Sequence, residues 1–483
     1  MKQNKSVELN YIYNLLYQII VVIVPFITTP YVSRVLNANS IGIFSYTTAI
    51  TGYFVLFGSL GIATYGQLKI SEFRNDKYKM SKIFYELLIN KIIITFIIIG
   101  FYLLFFNLKC NQNYKTMYSV LIIQILASAI DISWFLQGLE EFKKILIRNI
   151  IIKFLSVILI FSLVKQAEDL YLYALIINGS TLIGNLSIWM FARRYLEKVN
   201  INKLNLKKHI KPCIMYFIPT IATTIYLTLD KAMIGWFTST SLENGYFEQA
   251  NKVEQMALTV VTSLSVVTMP RMAYLFKNNK LSEFRLRLNE SFRFILFISI
   301  PMCLGMFAIS DSFIPLFLGE GYDKSIGLLK IFSLLLIIVG LNNAVGKQIL
   351  MPIGRQKEYN RCVILGAIVN FSLNFLLIPR LYSIGAAIAS VSAEMVILLT
   401  FIYYSRDFIS LKWILKNSFH YVIAGLVMFV VICLSYRYFN ISWISLFCQI
   451  SIGSLIYGSV LLVMRDRLIF QGIAMIKKYL SKN

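Results

Sequence analysis

About fourteen apolar segments, each near the length that crosses a bilayer, fill almost all of the 483 residues. They lie near 8–33, 41–63, 83–106, 115–137, 145–164, 169–192, 211–237, 246–270, 291–310, 324–349, 359–379, 384–404, 418–437 and 441–463. The pair at 211–237 and 246–270 is the least apolar. Lipid offers no hydrogen bonds to a backbone, so segments of this length and texture cross it as helices. The expectation is an all-α integral membrane protein of about fourteen transmembrane helices. Charged residues make up 14% of the chain, against about 25% in a soluble domain. Little chain is left for a water-facing domain, so the activity is expected inside or across the bilayer.

A formal charge of +24 at first suggests a nucleic-acid partner. Its distribution argues against one. With alternate loops assigned to opposite sides, one side collects Lys69, Arg74, Lys77, Lys79 and Lys82, then Arg193 to Lys211, and then Arg271 to Arg287. The other side holds little beyond Arg34, Lys109, Lys115, Lys165, Lys324, Arg380 and Arg437. This bias is the positive-inside signature: both termini are expected in the cytoplasm, with an even number of spans. The surplus also suits contact with anionic membrane lipids. No nucleic-acid role is expected.

The six cysteines form no C-x-x-C pair, and neither His209 nor His420 has a metal-ligand neighbour in sequence, so no metal site and no disulfide are expected. No H-E-x-x-H and no G-x-S-x-G occurs. The Gly340–Lys347 stretch only superficially resembles a phosphate loop: its spacing is wrong and it lies in an apolar span. With no large outer loop carrying paired acids, no catalytic residue is expected and the chain does not read as an enzyme.

The basic stretch after span six reads as a linker. It divides the chain into 1–200 (spans 1–6), 201–410 (spans 7–12) and 411–483 (spans 13 and 14 with a basic cytoplasmic tail). Two internal echoes support paired halves. Ile41-Gly42-Ile43-Phe44-Ser45-Tyr46 opens span two, and Asn244-Gly245-Tyr246-Phe247-Glu248-Gln249 opens span eight. Gly138–Lys143 follows span four, and Gly354–Tyr359 follows span ten. Repeats of this kind are common in transporters, with the substrate site between the halves.

Polar side chains recur on single faces of several spans. Span one carries Asn14 and Gln18. Span seven carries Thr220, Thr224, Thr228 and Lys231, with Asp230 alongside. Span eight carries Glu248, Lys252, Gln255, Thr259 and Thr262. Spans ten and eleven carry Asn343 with Lys347, and Asn370 with Asn374. Span twelve carries Ser390 and Glu394. Such stripes suit a hydrated inward-facing cavity, and they equally suit interhelical hydrogen bonds worth under about 2 kcal/mol each. Lys252 and Glu394 favour the functional reading because each is ionisable and lies well inside its span. Glu248 and Lys252 are spaced to pair on one helix, and Asp230 has Lys231 and Arg34 as candidate partners. Either pair suits a gate. Asp131 sits near the cytoplasmic end of span four. Trp134 suits an interfacial anchor or a face for a sugar ring.

The motifs Pro30-Tyr31-Val32-Ser33-Arg34-Val35-Leu36 with Ile41–Tyr46, Asp131–Phe142 with Arg148-Asn149, Leu229–Gly235, Gly245–Lys252 and Met269-Pro270-Arg271-Met272 occur in order over residues 8 to about 275. In this the chain resembles the Wzx-type polysaccharide transporters, the lipid-linked oligosaccharide flippases of the MATE/MOP superfamily. It departs at Asn37, where many relatives have Gly, which touches only the local turn. The resemblance implies two six-helix lobes in a V with two extra C-terminal helices. It implies alternating access in the bacterial cytoplasmic membrane, moving undecaprenyl-diphosphate-linked oligosaccharide from the inner to the outer leaflet for capsule, exopolysaccharide or wall polymer. A polysaccharide polymerase and glycosyltransferases are the implied partners. A cationic, polar cavity for that substrate would draw on Lys231, Lys252, Lys347, Arg34, Asn14, Gln18, Trp134, Gln255 and Asn343. No cofactor is implied beyond H+ or Na+ coupling, with Glu394 and Asp131 as coupling acids and Asp230 and Glu248 as gating groups. The rival readings are an ion-coupled multidrug or cation antiporter of the same superfamily, and a membrane-embedded glycosyltransferase or polymerase.

Overall fold

The computed structural model describes residues 2–109, 112–436 and 440–471, and among them no strand occurs. The helices run α1 (Lys2–Ser59), α2 (Ile62–Glu72), α3 (Lys77–Lys109), α4 (Gln112–Ile130), α5 (Ser133–Gly138), α6 (Phe142–Leu163) and α7 (Leu170–Ala192). They continue α8 (Lys207–Phe237), α9 (Leu242–Lys277), α10 (Leu281–Leu318), α11 (Asp323–Val345), α12 (Gln356–Leu381), α13 (Ser383–Tyr404), α14 (Leu411–Ser435) and α15 (Trp443–Val463). A short π-helical turn, Gly346–Leu350, extends α11.

Twelve helical stretches among the described residues are long and apolar enough to cross a membrane. Two places account for the difference from the count of fourteen read in the sequence. The first is α1. At about 1.5 Å per residue it is far longer than a bilayer core of about 30 Å, and it covers 8–33 and most of 41–63. The second is α8, some of whose side chains lie outside the described residues; it is not among the twelve.

The chain forms two compact units, Met1–Gly245 and Tyr246–Asn483. In the first, α1 packs on α3, α4, α6 and α8, and α4 packs on α7. In the second, α12 pairs with α13, α10 packs on α11 and α14, and α14 packs on α15. The linker read near residue 200 falls between α7 and α8, and α8 makes its contacts with α1, α2 and α3.

The outward faces are apolar. Phe96 is 77% exposed, Met190 73% and Ile444 78%, an arrangement that only lipid makes favourable over so many residues. Polar groups go the other way: Thr47, Thr51, Asn178, Asn185, Asn370 and Asn374 are buried.

α1 breaks at Asn37, whose φ of 58° and ψ of 171° fall outside the helical region. Its Oδ1 accepts the backbone N–H of Ser40 at 3.1 Å, so the side chain caps the second half of the helix. That region of φ and ψ is glycine territory and costs other residues about 1–3 kcal/mol, whereas exchanging an Asn cap for Gly costs a few tenths. Asn37→Gly is therefore expected to raise thermal stability and Asn37→Val to lower it, as read by thermal unfolding of the purified protein. Equal stability of the two variants would remove strain at this corner.

Candidate functional site

Helices α9, α11 and α13 bring the main ionisable cluster of the second unit together. Glu254 on α9 is fully buried, 0% exposed. Its Oε2 accepts the Gln255 Nε2–H at 2.9 Å, while its Oε1 has no partner among the described residues. Glu394 on α13 lies near enough for its charge to act on Glu254. Asn342 on α11 donates through Nδ2 to Glu394 Oε2 at 2.6 Å and to the Glu394 carbonyl at 3.0 Å. Gln348, in the π-helical turn, donates to Ser265 Oγ at 3.1 Å and ties that turn back to α9. At Gly340 an added Cβ would sit 2.8 Å from Val261, so the missing side chain lets α11 approach α9.

Two carboxyl groups in one low-dielectric interior are costly together unless a counter-charge is present. The smallest counter-charges are a proton and a small cation. Sequence reading found Glu394 and Gln255 but passed over Glu254, because Glu254 lies about 100° around the helix from its neighbour Gln255 and so off the polar stripe of α9.

The other residues singled out in the second unit have local roles. Glu248 and Lys252 form the ion pair that their spacing predicts, at 3.5 Å. Asn343 donates to the carbonyl of Val339, one turn back on its own helix, at 3.0 Å. Lys347 sits half-buried in the π-helical turn.

In the first unit, Asn14 and Gln18 lie on α1 with their side chains outside the described residues. Arg34 is exposed, Asp230 and Lys231 are half-buried, and all three make polar contacts. Asp131 Oδ1 accepts both the backbone N–H and the hydroxyl of Ser133, closing the break between α4 and α5. Trp134 is 2% exposed. It packs on Phe84 with ring centroids 5.7 Å apart, and a Cβ at Gly66 would fall 2.5 Å from its indole. In this structure the ring is a core group and presents no face to a sugar.

Two buried features of the first unit escaped the sequence reading. Lys91, 4% exposed on α3, donates to the Asp131 carbonyl at 2.7 Å. One turn toward the helix start, Glu86 holds His209 of α8: Glu86 Oε2 and His209 Nε2 are 2.7 Å apart. His209 Nδ1 meets the Tyr65 hydroxyl at 3.0 Å. Glu86 Oε1 accepts the Asn205 backbone N–H at 2.7 Å. The signal was available: an acid, an amide and a lysine at 86, 90 and 91 interrupt an otherwise apolar span.

The sequence model of the polysaccharide biosynthesis protein family matches residues 8–276. The chain belongs to that family. Polysaccharide biosynthesis proteins similar to it include one of Escherichia coli K12 named as an O-antigen transporter, 24% identical over 399 residues that cover 82% of this chain and 95% of the relative. Another is the capsular polysaccharide biosynthesis protein CapF of Staphylococcus aureus, 25% identical over 410 residues, 82% of this chain and 98% of the relative. Among solved structures, lipid II flippase MurJ in an inward closed conformation aligns with a TM-score of 0.74 at 18% identity, over 95% of this chain and 99% of that one. An inward-facing multidrug resistance MATE transporter of the MOP superfamily aligns with a TM-score of 0.57 at 14% identity, over 80% and 97%. This member of the polysaccharide biosynthesis family therefore has the MOP-like membrane fold that the sequence motifs imply.

Proposed function

We propose that this chain is a flippase for undecaprenyl-diphosphate-linked oligosaccharide, carrying repeat units from the inner to the outer leaflet by alternating access during surface-polysaccharide biosynthesis. The observation that carries this reading is the match to a protein named as an O-antigen transporter over 95% of that relative. The ion pair and the carboxyl groups carried inside spanning helices suit a transporter more than a scaffold. No bond is broken in this scheme. The polar head of the substrate is met by cationic groups of each unit, Lys231 and Arg34 in the first and Lys252 and Lys347 in the second, while the lipid tail stays in the bilayer. Glu254 and Glu394 exchange a proton or Na+ with the driving gradient. The protein sits in the bacterial cytoplasmic membrane with both termini in the cytoplasm, alongside the polymerase and glycosyltransferases that use the same lipid.

The buried Glu254 and the half-buried Glu394 also favour a second reading, an ion-coupled cation antiporter of the same fold. Depleting the protein separates the two. The flippase reading expects the completed lipid-linked repeat unit to accumulate on the inner leaflet while glycosyltransferase activity persists, as read by an impermeant enzyme that modifies only outer-leaflet sugars. Continued delivery to the outer leaflet, with a change only in drug tolerance, would establish the antiporter instead.

A further inference from the structure

The first unit holds a cavity of about 660 Å³ between α2, the start of α3 and the start of α8. That volume lies within the range of small-molecule sites, about 300–1,000 Å³. Lys69, Lys79, Lys82 and Lys208 line it, and Glu86 is the one acid among the lining residues. Glu86 is 3% exposed, and both its oxygens are engaged, one by His209 and one by the Asn205 N–H. Its charge is held in the floor, away from an incoming anion. Lys82 Nζ stands 3.9 Å from it.

Two of the lysines have partners that are easily given up. Lys69 meets Glu72 at 2.6 Å and Lys79 meets Asp76 at 3.0 Å, both on side chains that stay partly exposed. Such pairs are worth about 0–1 kcal/mol, so a multiply charged anion can outcompete them. Asp76 itself, held below the usual carboxylate range by the Lys79 backbone N–H, stays charged and keeps the start of α3 in place. The cavity also reaches the first turn of α8, which has no side-chain cap, and a helix N-terminus favours negative charge. Tyr65 and Tyr216, with ring centroids 6.0 Å apart, supply aromatic wall beside the lysines.

We propose that this cavity binds the diphosphate of a lipid-linked sugar on the side that the positive-inside bias places in the cytoplasm, before translocation. The four lysines take the phosphate oxygens, and Tyr65 and Tyr216 flank the first sugar. The His209 relay between Glu86 and Tyr65 positions the floor. The inference rests on the flippase reading for the source of the diphosphate, and on the cavity alone for its chemistry.

The test uses the full-length purified protein in nanodiscs of phosphatidylcholine, titrated with inorganic pyrophosphate and then with a short-chain polyprenyl diphosphate as competitor. Saturable pyrophosphate binding that the polyprenyl diphosphate displaces is expected. The double variant Lys82→Ala/Lys208→Ala should weaken it about tenfold or more, since each charged contact to an anion is individually strong. Lys82→Arg/Lys208→Arg keeps the charge and should bind within a few-fold of wild type, which separates lost ligands from lost fold. Binding unchanged in the alanine double variant would overturn the assignment. Displacement by phosphatidylglycerol as readily as by the diphosphate would overturn it in favour of a general lipid contact, and retention of free pyrophosphate or a nucleotide sugar against the polyprenyl competitor would overturn the lipid source. The leaflet assay above reads translocation independently: normal delivery without pyrophosphate binding sinks the cavity alone, whereas binding without delivery sinks the flippase reading alone.

Discussion

Replacing Glu254 by Gln is expected to leave the protein folded and to slow ion-driven translocation by about 5–150-fold, the usual range of a coupling free energy between two sites. Glu254 is a fully buried carboxyl of the second unit, with one oxygen bound by Gln255 and the other without a partner among the described residues. Gln preserves the shape and removes the charge, and an ionised carboxylate without a paired counter-charge is itself costly in an apolar interior. The fold should therefore survive. What disappears is the ability to exist in two charge states. In proteoliposomes carrying a fluorescent lipid-linked oligosaccharide, wild type should move substrate faster when a proton or Na+ gradient is applied. Glu254→Gln should be slow and indifferent to both gradients, and Glu394→Gln should behave in the same direction. Wild-type rate and wild-type gradient dependence in Glu254→Gln would dismiss these acids as coupling groups and leave them as packing.

The helical membrane architecture could be read from the sequence because it follows from quantities that add along a chain: apolar length and breaks at polar corners. The candidate site was legible only in part. Stripe reasoning works for groups that share a helix, and it found the Glu248–Lys252 pair at 3.5 Å. It fails for groups that meet from different helices. Glu254 is off its stripe, and Glu394, whose charge reaches it, lies far along the chain. His209 had no ligand-like neighbour in sequence, yet Glu86 reaches it from 123 residues away. Trp134 misled for the opposite reason. A tryptophan near a helix end reads as an interfacial or sugar-facing ring, and nothing in its local sequence announces that Gly66 leaves a hollow for it.

Substituting Gly42 by Ala is expected to destabilise the first unit strongly, by driving one helix backbone into another. A Cβ at Gly42 would lie 1.7 Å from the carbonyl oxygen of Ser241 and 2.9 Å from the N of Gly245, and a Cβ at Gly245 would lie 1.9 Å from the carbonyl oxygen of Ala38. All of these are backbone atoms, so no rotamer change relieves the overlap and the helix itself must move. The same corner is held by the Tyr114 hydroxyl on Ser241 Oγ at 3.0 Å, and just beyond it Gly235 accommodates the ring of Tyr46. Overpacking of this kind costs about 1–3 kcal/mol, occasionally more, which at the upper end lowers the melting temperature of a unit this size by about 6–12 °C. Gly100→Ala and Gly179→Ala are the controls, because an added Cβ there meets nothing within 4 Å, and Ala in an open helix position is favoured over Gly by about 0.5–1 kcal/mol. Gly42→Ala and Gly245→Ala should fall well below wild type in a thermal unfolding series, with both controls at or above it. If all four variants melted together, the close approach would carry no stability. Gly42 and Gly245, the second residue of each of the two segments that echo each other in sequence, thus sit at one close backbone approach, Gly42 against Ser241 and Gly245, and Gly245 against Ala38.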